Sequence, residues 1–312
     1  MQKLIVLAGP TAIGKTELSL SLAEEFDCEI ISMDSMQIYK YMDIGTAKPT
    51  LEERQRVVHH LVDFVDPADE YNVSRFVSDA CLAIEEIHSR NKQALLVGGT
   101  GLYLKGLLEG LFEIVPVPPD VREIVAEMEK TNGIGFLHEK LKECDPESAL
   151  RLHVNDSQRI KRALEIFYAT GIPWSQHLEE QAQQKKQYQG CFNALKIGLH
   201  RDRELLYDRI NRRVDIMIES GLLGEVENLL AMGYTPNLNS MQSIGYKHML
   251  NFLDSTWTWE EALRLLARDT RHYAKRQLTW FGRDEEMHWF EPAEKENISQ
   301  TVKQFLEKNI ES

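Results

Sequence analysis

The stretch that decides the fold is Lys3–Thr16, KLIVLAGPTAIGKT. Its last eight residues are Gly9, Pro10, Thr11, Ala12, Ile13, Gly14, Lys15 and Thr16, which spell G-x-x-x-x-G-K-T, the phosphate-loop pattern. Lys3 to Ala8, rich in Ile, Val and Leu, reads as a strand, and KTELSLSLAEEF after the loop reads as a helix. In that setting the pattern has a mechanism. Gly9 and Gly14 allow backbone angles that turn successive N–H groups toward one concave side. The helix starting near Lys15 adds the positive end of its dipole. Lys15 brings an ammonium to phosphate oxygens, and the Thr16 hydroxyl is the usual ligand of a bridging Mg²⁺. By spelling alone the loop reads as ATP-binding. A backbone cradle recognises two linked phosphates, however, and nothing of what hangs from them, so the surrounding residues must decide.

Working outward, Glu29–Ser32 reads as a second strand, SRFVSDACLAIEEIHSRNK as a helix and ALLVG (94–98) as a third strand. Alternating strand and helix implies right-handed crossovers and a parallel sheet. The strands are apolar on both faces, as expected when helices cover both sides. VPVPPD (115–120) breaks this pattern, and from Val121 to about Gln189 only helical periodicity is seen. DSQRIKRALEIFYATG (156–171) reads as a helix capped by Asp156 or Ser157, with Ile160, Ala163, Leu164, Phe167 and Tyr168 as its apolar stripe and Gly171 and Pro173 ending it. The polar run EEQAQQKKQYQG reads as a flexible hinge. ALKIGLH (194–200) returns to the sheet, a basic amphipathic helix RELLYDRINRRVDIMIESG follows, and MHWFEP reads as an edge strand. The expected organisation is an α/β class parallel sheet with flanking helices, built from residues 1–114 and 192–312, and an all-helical insertion over 115–191.

The totals of the 312-residue chain agree with a globular protein, 43% hydrophobic and 27% charged. MQKLIVLAG reads as a buried strand and not a signal peptide, and no apolar run reaches the ~20 residues that span a bilayer. The four cysteines lie far apart, which suits reduced thiols in the cytoplasm and gives no zinc pattern. A net charge of −13 argues against unselective coating of nucleic acid but leaves room for a local basic surface. His59–His60 has no metal-ligand spacing, and Trp257 and Trp259 read as packing residues.

Around the loop, the third strand ends in LLVGGTGLY, without the Asp that holds the metal in nucleotide-hydrolysing phosphate-loop proteins. The nearest carboxylate in topology is Asp34, just past the second strand. The carboxyl ends of parallel strands line the active crevice, so Asp34, Thr100 and the loop should converge there. Asp34 is suited to accept a proton from a nucleophile or, alternatively, to cap a turn. Thr100 is a candidate helix cap, a site residue, or both. Arg159, Lys161 and Arg162 form one basic tract. Arg264, Arg268, Arg271, Lys275, Arg276 and Arg283 form a second, interleaved with His272, Tyr273, Trp280 and Phe281, a mixture that suits phosphate contact and base stacking.

GPTAIGKT, SMDSMQIYKYMDIGTAKP, LLVGGTGLYLKGLL, NDSQRIKRALEI, SIGYKHM and KRQLTWFGRD, in that order, resemble the tRNA dimethylallyltransferase (tRNA isopentenyltransferase) family in its shorter bacterial form. The resemblance implies a P-loop nucleotide-kinase-like fold whose helical insertion embraces the anticodon stem-loop of tRNA. It implies transfer of a dimethylallyl group from dimethylallyl diphosphate to N6 of the adenosine immediately 3′ of the anticodon, with Mg²⁺ as cofactor. The loop would then hold the isoprenoid's diphosphate through Thr11, Gly14, Lys15 and Thr16, with Mg²⁺ at Thr16. Asp34 matches the general base, Ser35, Met36 and Gln37 a stretch touching the target nucleotide, and Thr100 a substrate-contacting threonine. Arg122 and Gln158, Arg159, Ile160, Lys161 and Arg162 match RNA-contacting positions, and Arg209 an arginine that reaches the diphosphate. Lys15, Asp34, Thr100 and Arg209 form the expected catalytic set, and Lys275 and Arg276 join the expected RNA contacts. A cytoplasmic monomer is expected. Three other readings stay open: a kinase using ATP, a non-catalytic RNA-binding protein, and an isopentenyltransferase acting on free adenylate.

Overall fold

The first strand, β1 (Gln2–Ala8), alternates between two cores. Leu4, Val6 and Ala8 enter one and Ile5 and Leu7 the other, all essentially without exposure. That burial on both faces follows from helices packed on both sides of a parallel sheet. The computed structural model describes residues 2–110, 115–187 and 190–308. After β1 come the loop, α1 (Lys15–Glu25), β2 (Cys28–Met33), α2 (Leu51–Arg56), β3 (His59–His60), α3 (Val73–Ser89), β4 (Gln93–Gly98) and α4 (Gly101–Glu109). Local signals set the helix starts. Asn72 caps α3 through the N–H groups of Ser74 and Arg75, and Thr50 with Glu53 forms a capping box on α2. The two-residue strand β3 has no pattern of its own in the sequence and forms by pairing with Ile30 and Ile31.

The chain divides into two compact units, Met1–Leu108 with Gly190–Ser312, and Glu109–Gln189. The second is helical over its described residues: α5 (Pro119–Cys144), α6 (Pro146–Arg151), α7 (Ser157–Thr170) and α8 (Trp174–Gln187). Gly133 breaks α5 with a φ of 80°. Asp156 caps α7 and Gly171, in the left-handed region, ends it. The core of this unit gathers Val125, Leu137, Leu141, Ile160, Ala163 and Leu164. The expected stripe on α7 holds for its first three members, whereas Ile166 is buried and Tyr168 is exposed. The expected hinge at EEQAQQKKQYQG is a correction: α8 runs through Gln187, because Glu, Gln, Ala and Lys are strong helix formers even without an apolar stripe. Tyr188 and Gln189 of that run, and residues 111–114 at the expected domain boundary, lie outside the described residues.

The first unit continues with β5 (Phe192–Leu199), α9 (Arg203–Glu219), α10 (Leu222–Ala231), α11 (Tyr246–Leu253), α12 (Trp259–Phe281), β6 (His288–Phe290) and α13 (Lys295–Glu307). The sheet order is β3-β2-β4-β1-β5-β6, with every pair parallel. β1 therefore lies between β4 and β5, and the loop after it emerges mid-sheet at the carboxyl ends of the strands. A third cluster joins α9 through α12 to Ile38, Tyr39 and Met42 of the long segment after β2. Trp257 and Trp259 pack against it, Trp259 edge-on to Phe252, as their packing reading expects. Among the described residues no helix is long and apolar enough to cross a membrane.

Candidate active site

The loop folds as a cradle at the start of α1. Gly14 is its N-terminal residue, at φ 113°, and Ala12 also takes a positive φ, of 63°. Gly9 does not. It is glycine because a Cβ there would press on Leu199 at 3.2 Å. This corrects the expectation that both glycines supply unusual angles. Gly9 and Pro10 are buried beneath the cradle and contribute their carbonyls, both 2.9 Å from the Lys15 ammonium. Ile13 is fully buried in the core, so only its backbone faces the loop. Burial lowers Lys15 to about 8. Asp34 draws it back up and Arg213 pushes it further down. Arg209, from α9, donates its Nε to the Ala12 carbonyl at 2.8 Å, which places it at the rim of the cradle.

A cavity of about 350 Å³ opens above this loop. Its walls include Thr11 to Thr16, Asp34, Gln37, Gly99, Arg209, Arg213, Tyr273 and Gln277. Asp34 begins the segment after β2. Its Oδ1 accepts the N–H groups of Met36 (2.8 Å) and Gln37 (3.3 Å). The turn-capping role is thus present, and among the described residues Oδ2 has no hydrogen-bond partner. Thr100 does not line this cavity. It stands behind it, its Oγ1 accepting the Ser35 N–H at 3.2 Å, so its hydroxyl bonds across to the segment after β2. Gln37 donates Nε2 to the carbonyls of Thr46 and Ala47 (3.4 and 3.2 Å) and accepts from Ser32, folding that segment into a wall.

The wall is held from outside by Glu225 of α10. Its carboxylate accepts the N–H groups of Asp43 (2.9 Å), Ile44 (2.8 Å) and Gly45 (3.1 Å), and the Tyr246 hydroxyl at 2.5 Å. Gly45 leaves room for the Tyr246 ring, which a Cβ would meet at 2.4 Å. Lys48, buried, closes the same segment against Asp43, Asp63 and the Tyr39 carbonyl. These ties hold an irregular stretch of backbone that forms no helix or sheet of its own.

The glycines of GGTG each meet a close neighbour. A Cβ at Gly98 would lie 2.0 Å from the Met33 carbonyl oxygen, at Gly99 2.0 Å from Gln277 Nε2, and at Gly101 2.1 Å from the Trp280 ring. This is why the end of β4 has no carboxylate. At Gly98, the last residue of the strand, the Met33 backbone leaves no room for any side chain. Among the described residues there is no group of three or more His, Cys, Asp or Glu arranged to hold a metal.

A second cavity of about 310 Å³ adjoins the first and shares Thr11, Asp34, Thr46, Arg213 and Tyr273 with it. Met36, Val214, Met217, Ile244 and Leu266 give it an apolar wall, and Ser35, Arg276 and Ser243 add polar groups. Arg213 and Tyr273 stand where the two cavities meet. Burial lowers the Arg213 pKa, opposed by Asp34, and raises that of Tyr273, assisted by Asp34. Sequence reasoning passed over Arg213 and Gln277. Arg213 follows Arg209 by four residues and so shares its helix face. Tyr273, Arg276, Gln277 and Trp280 lie on one face of α12 by the same spacing. Glu225 had no local signal at all.

The remaining expected RNA contacts are found on helices. In the helical unit, Gln158 and Arg159 are exposed on α7 and Arg122 is exposed on α5. Arg159 pairs with Asp156, Lys161 with Glu129, and Arg162 with the Val115 carbonyl and Glu165. Ile160 is fully buried in that unit's core, so its side chain cannot touch RNA, which corrects the expectation for that residue. On α12, Lys275 and Arg276 are exposed, with the Arg276 guanidinium 5.8 Å from the Tyr273 ring centre. Arg264 and Arg268 answer acidic neighbours on their own helix, and Phe281 is core and not a stacking surface, a second correction.

The chain matches the model of the IPP transferase family over residues 37–284. It is 53% identical over 309 residues to a tRNA dimethylallyltransferase of Desulfotalea psychrophila, covering 99% of this chain and 97% of that one. The crystal structure of a full-length tRNA isopentenylpyrophosphate transferase from Bacillus halodurans is 40% identical, with a TM-score of 0.73 over 98% of this chain and 97% of that one. A eukaryotic dimethylallyltransferase, described as acting on tRNA, is 30% identical with a TM-score of 0.79, over 100% of this chain and 81% of that one. The P-loop sheet, the cradle with Asp34 facing it and these likenesses agree, and the chain belongs to the IPP transferase family.

Proposed function

We propose that this protein transfers the dimethylallyl group of dimethylallyl diphosphate to N6 of the adenosine immediately 3′ of the anticodon in tRNA and releases diphosphate. The observation that carries the reading is the sharing of Asp34 by two cavities, one floored by a diphosphate cradle and the other walled by apolar side chains. The leaving diphosphate would occupy the first, held by the backbone N–H groups of Gly14, Lys15 and Thr16 at the start of α1 and by the Lys15, Arg209 and Arg213 side chains. The allyl carbons would lie along the apolar wall of Met36, Val214 and Met217. The target adenine would enter from the second cavity after unstacking, which costs less for a loop nucleotide than for a paired one.

In the reaction the bond from the allyl C1 to the diphosphate oxygen breaks and a bond from C1 to N6 forms. The N6 proton passes to the free Oδ2 of Asp34. Lys15 and the two arginines face the charge that grows on the departing diphosphate, where preorganised donors contribute most. Holding the two substrates together contributes up to ~7–11 kcal/mol in favourable cases. Ser35, Met36, Gln37 and Thr100 would shape the adenine side. Arg122, Gln158, Arg159, Lys161 and Arg162 of the helical unit, and Lys275 and Arg276 of α12, would contact the anticodon stem-loop.

Thr16, exposed at the cradle, offers a hydroxyl of the kind that holds Mg²⁺ together with phosphate oxygens and waters, so the residues present fit that ion. When bound, Mg²⁺ would neutralise part of the diphosphate charge. Every residue invoked lies in one chain, so a monomer suffices. The direct test is incubation with radiolabelled dimethylallyl diphosphate and either tRNA or AMP. Label should enter tRNA at that adenosine. Label in AMP alone, or ATP consumed with no prenylated RNA, would refute the proposal.

A further inference from the structure

Gln277 lies on α12, 266 residues beyond Thr11 in the chain, yet it touches the cradle itself. Its Oε1 accepts the Thr11 N–H at 2.9 Å, and its Nε2 donates to the Gly99 carbonyl at 2.9 Å. The side chain is 6% exposed and lines the diphosphate cavity. Gly99 has no side chain where this amide sits, since a Cβ there would stand 2.0 Å from Nε2. One amide thus joins the end of β4 to the first turn of the phosphate loop. It sits beside Gly99, just past the end of β4, where the chain itself carries no carboxylate.

We infer that Gln277 is the positioning residue of the diphosphate cradle: it fixes the Thr11 end of the loop against β4 and keeps a negative charge out of the place beside the bound diphosphate. The amide suits both tasks. It has one acceptor and one donor, matched to an N–H and a carbonyl, and it is neutral. A carboxylate of the same shape would keep the Thr11 bond, face the Gly99 carbonyl with a second acceptor, and repel the anion. The neighbouring turns of α12 carry Tyr273 and Arg276, which face the second cavity. The helix that would read the RNA side therefore also sets the donor side. This inference rests on the diphosphate reading of the loop, and its first test is pyrophosphate binding, so that it can fail while the transfer reaction stands.

The test is titration of inorganic pyrophosphate with Mg²⁺ into the wild-type chain, Q277E and Q277M, followed by calorimetry, with thermal melts on the same samples. Q277M removes both hydrogen bonds at similar volume and should weaken pyrophosphate binding about tenfold. Q277E keeps the Thr11 bond, so it protects against a trivial folding failure, and should weaken binding at least as much because of its charge. In transfer assays the donor KM should rise in both variants, while kcat and the RNA KM stay within about threefold. A purely structural role would lower the melting temperature and leave pyrophosphate affinity alone. Wild-type affinity, within twofold, in either folded variant overturns the inference. A fall in kcat with the donor KM unchanged overturns it as well.

Discussion

Replacing Asp34 with Asn separates the chemistry of the site from its architecture. Asn is isosteric, and its amide oxygen can take over the two N–H bonds that Asp34 Oδ1 accepts from Met36 and Gln37. The turn should therefore survive, and the melting temperature should change little. What is lost is the proton acceptor Oδ2, which among the described residues accepts no hydrogen bond. General bases contribute ~10²–10⁴-fold, or about 2.7–5.4 kcal/mol at 1.36 kcal/mol per decade. The neutral side chain also removes an anion from the vicinity of the diphosphate. Asp34 is the main influence holding the Lys15 ammonium protonated against burial. Near pH 7 the first effect should dominate, so pyrophosphate affinity should stay level or rise. Single-turnover transfer to an anticodon stem-loop RNA, with both substrates saturating, should thus fall by two to four decades. Asp34→Ala should lose a similar rate and, in addition, about 1–3 kcal/mol of stability from the two N–H groups left without their acceptor. A D34N enzyme that keeps more than a tenth of the wild-type rate would refute the base assignment. So would equal losses in rate and in both binding constants.

Three further outcomes follow from the geometry. Burial lowers Lys15 to about 8, and only its protonated form attracts the anion, so pyrophosphate affinity should be level below pH 7 and decline as pH rises through 8; an affinity flat to pH 9.5 would contradict this. Burial lowers this pKa from its unfolded value of 10.5, so between pH 8 and 10.5 the unfolded chain binds more protons and the Lys15 contribution to stability rises with pH. Glu225→Ala strands three N–H groups and a tyrosine hydroxyl, and should cost about 3–5 kcal/mol in urea unfolding while Glu225→Gln costs less; equal costs would show that the hydrogen bonds carry little. Arg159→Glu should weaken RNA binding and flatten its dependence on salt, with pyrophosphate affinity unaltered, as filter binding at several ionic strengths would reveal.

Much of the fold was legible because its signals are local. A run such as KLIVLAG can only be a buried strand, the spacing of GPTAIGKT forces a turn into a helix, and Asp156 with Gly171 marks both ends of α7. Where a signal needed a partner, the sequence was silent. His59 and His60 carry no strand pattern and become one only beside β2. The QAQQKK run looks like a hinge by polarity, yet its residues favour helix and continue α8. The stripe on α7 placed Tyr168 inside, while the packed unit chose Ile166.

For the site, the sequence by itself determined the chemical parts: a phosphate cradle with Lys15 and Thr16, a carboxylate just past the second strand, and basic helices. These are set by spacing along one strand–turn–helix, so no distant residue is required to read them. Only the tertiary structure decided how the parts meet. It brought Arg213 and Tyr273 to the junction of two cavities, set Gln277 between Thr11 and Gly99, and pinned the 43–45 backbone on Glu225. It also showed that Gly98, Gly99 and Gly101 are glycines because of what packs against them, and not because of their own angles. The physical reason is the same in each case. Hydrogen bonds and steric contacts between residues far apart in the chain leave no periodicity in it, and they exist only once the sheet has gathered its carboxyl ends.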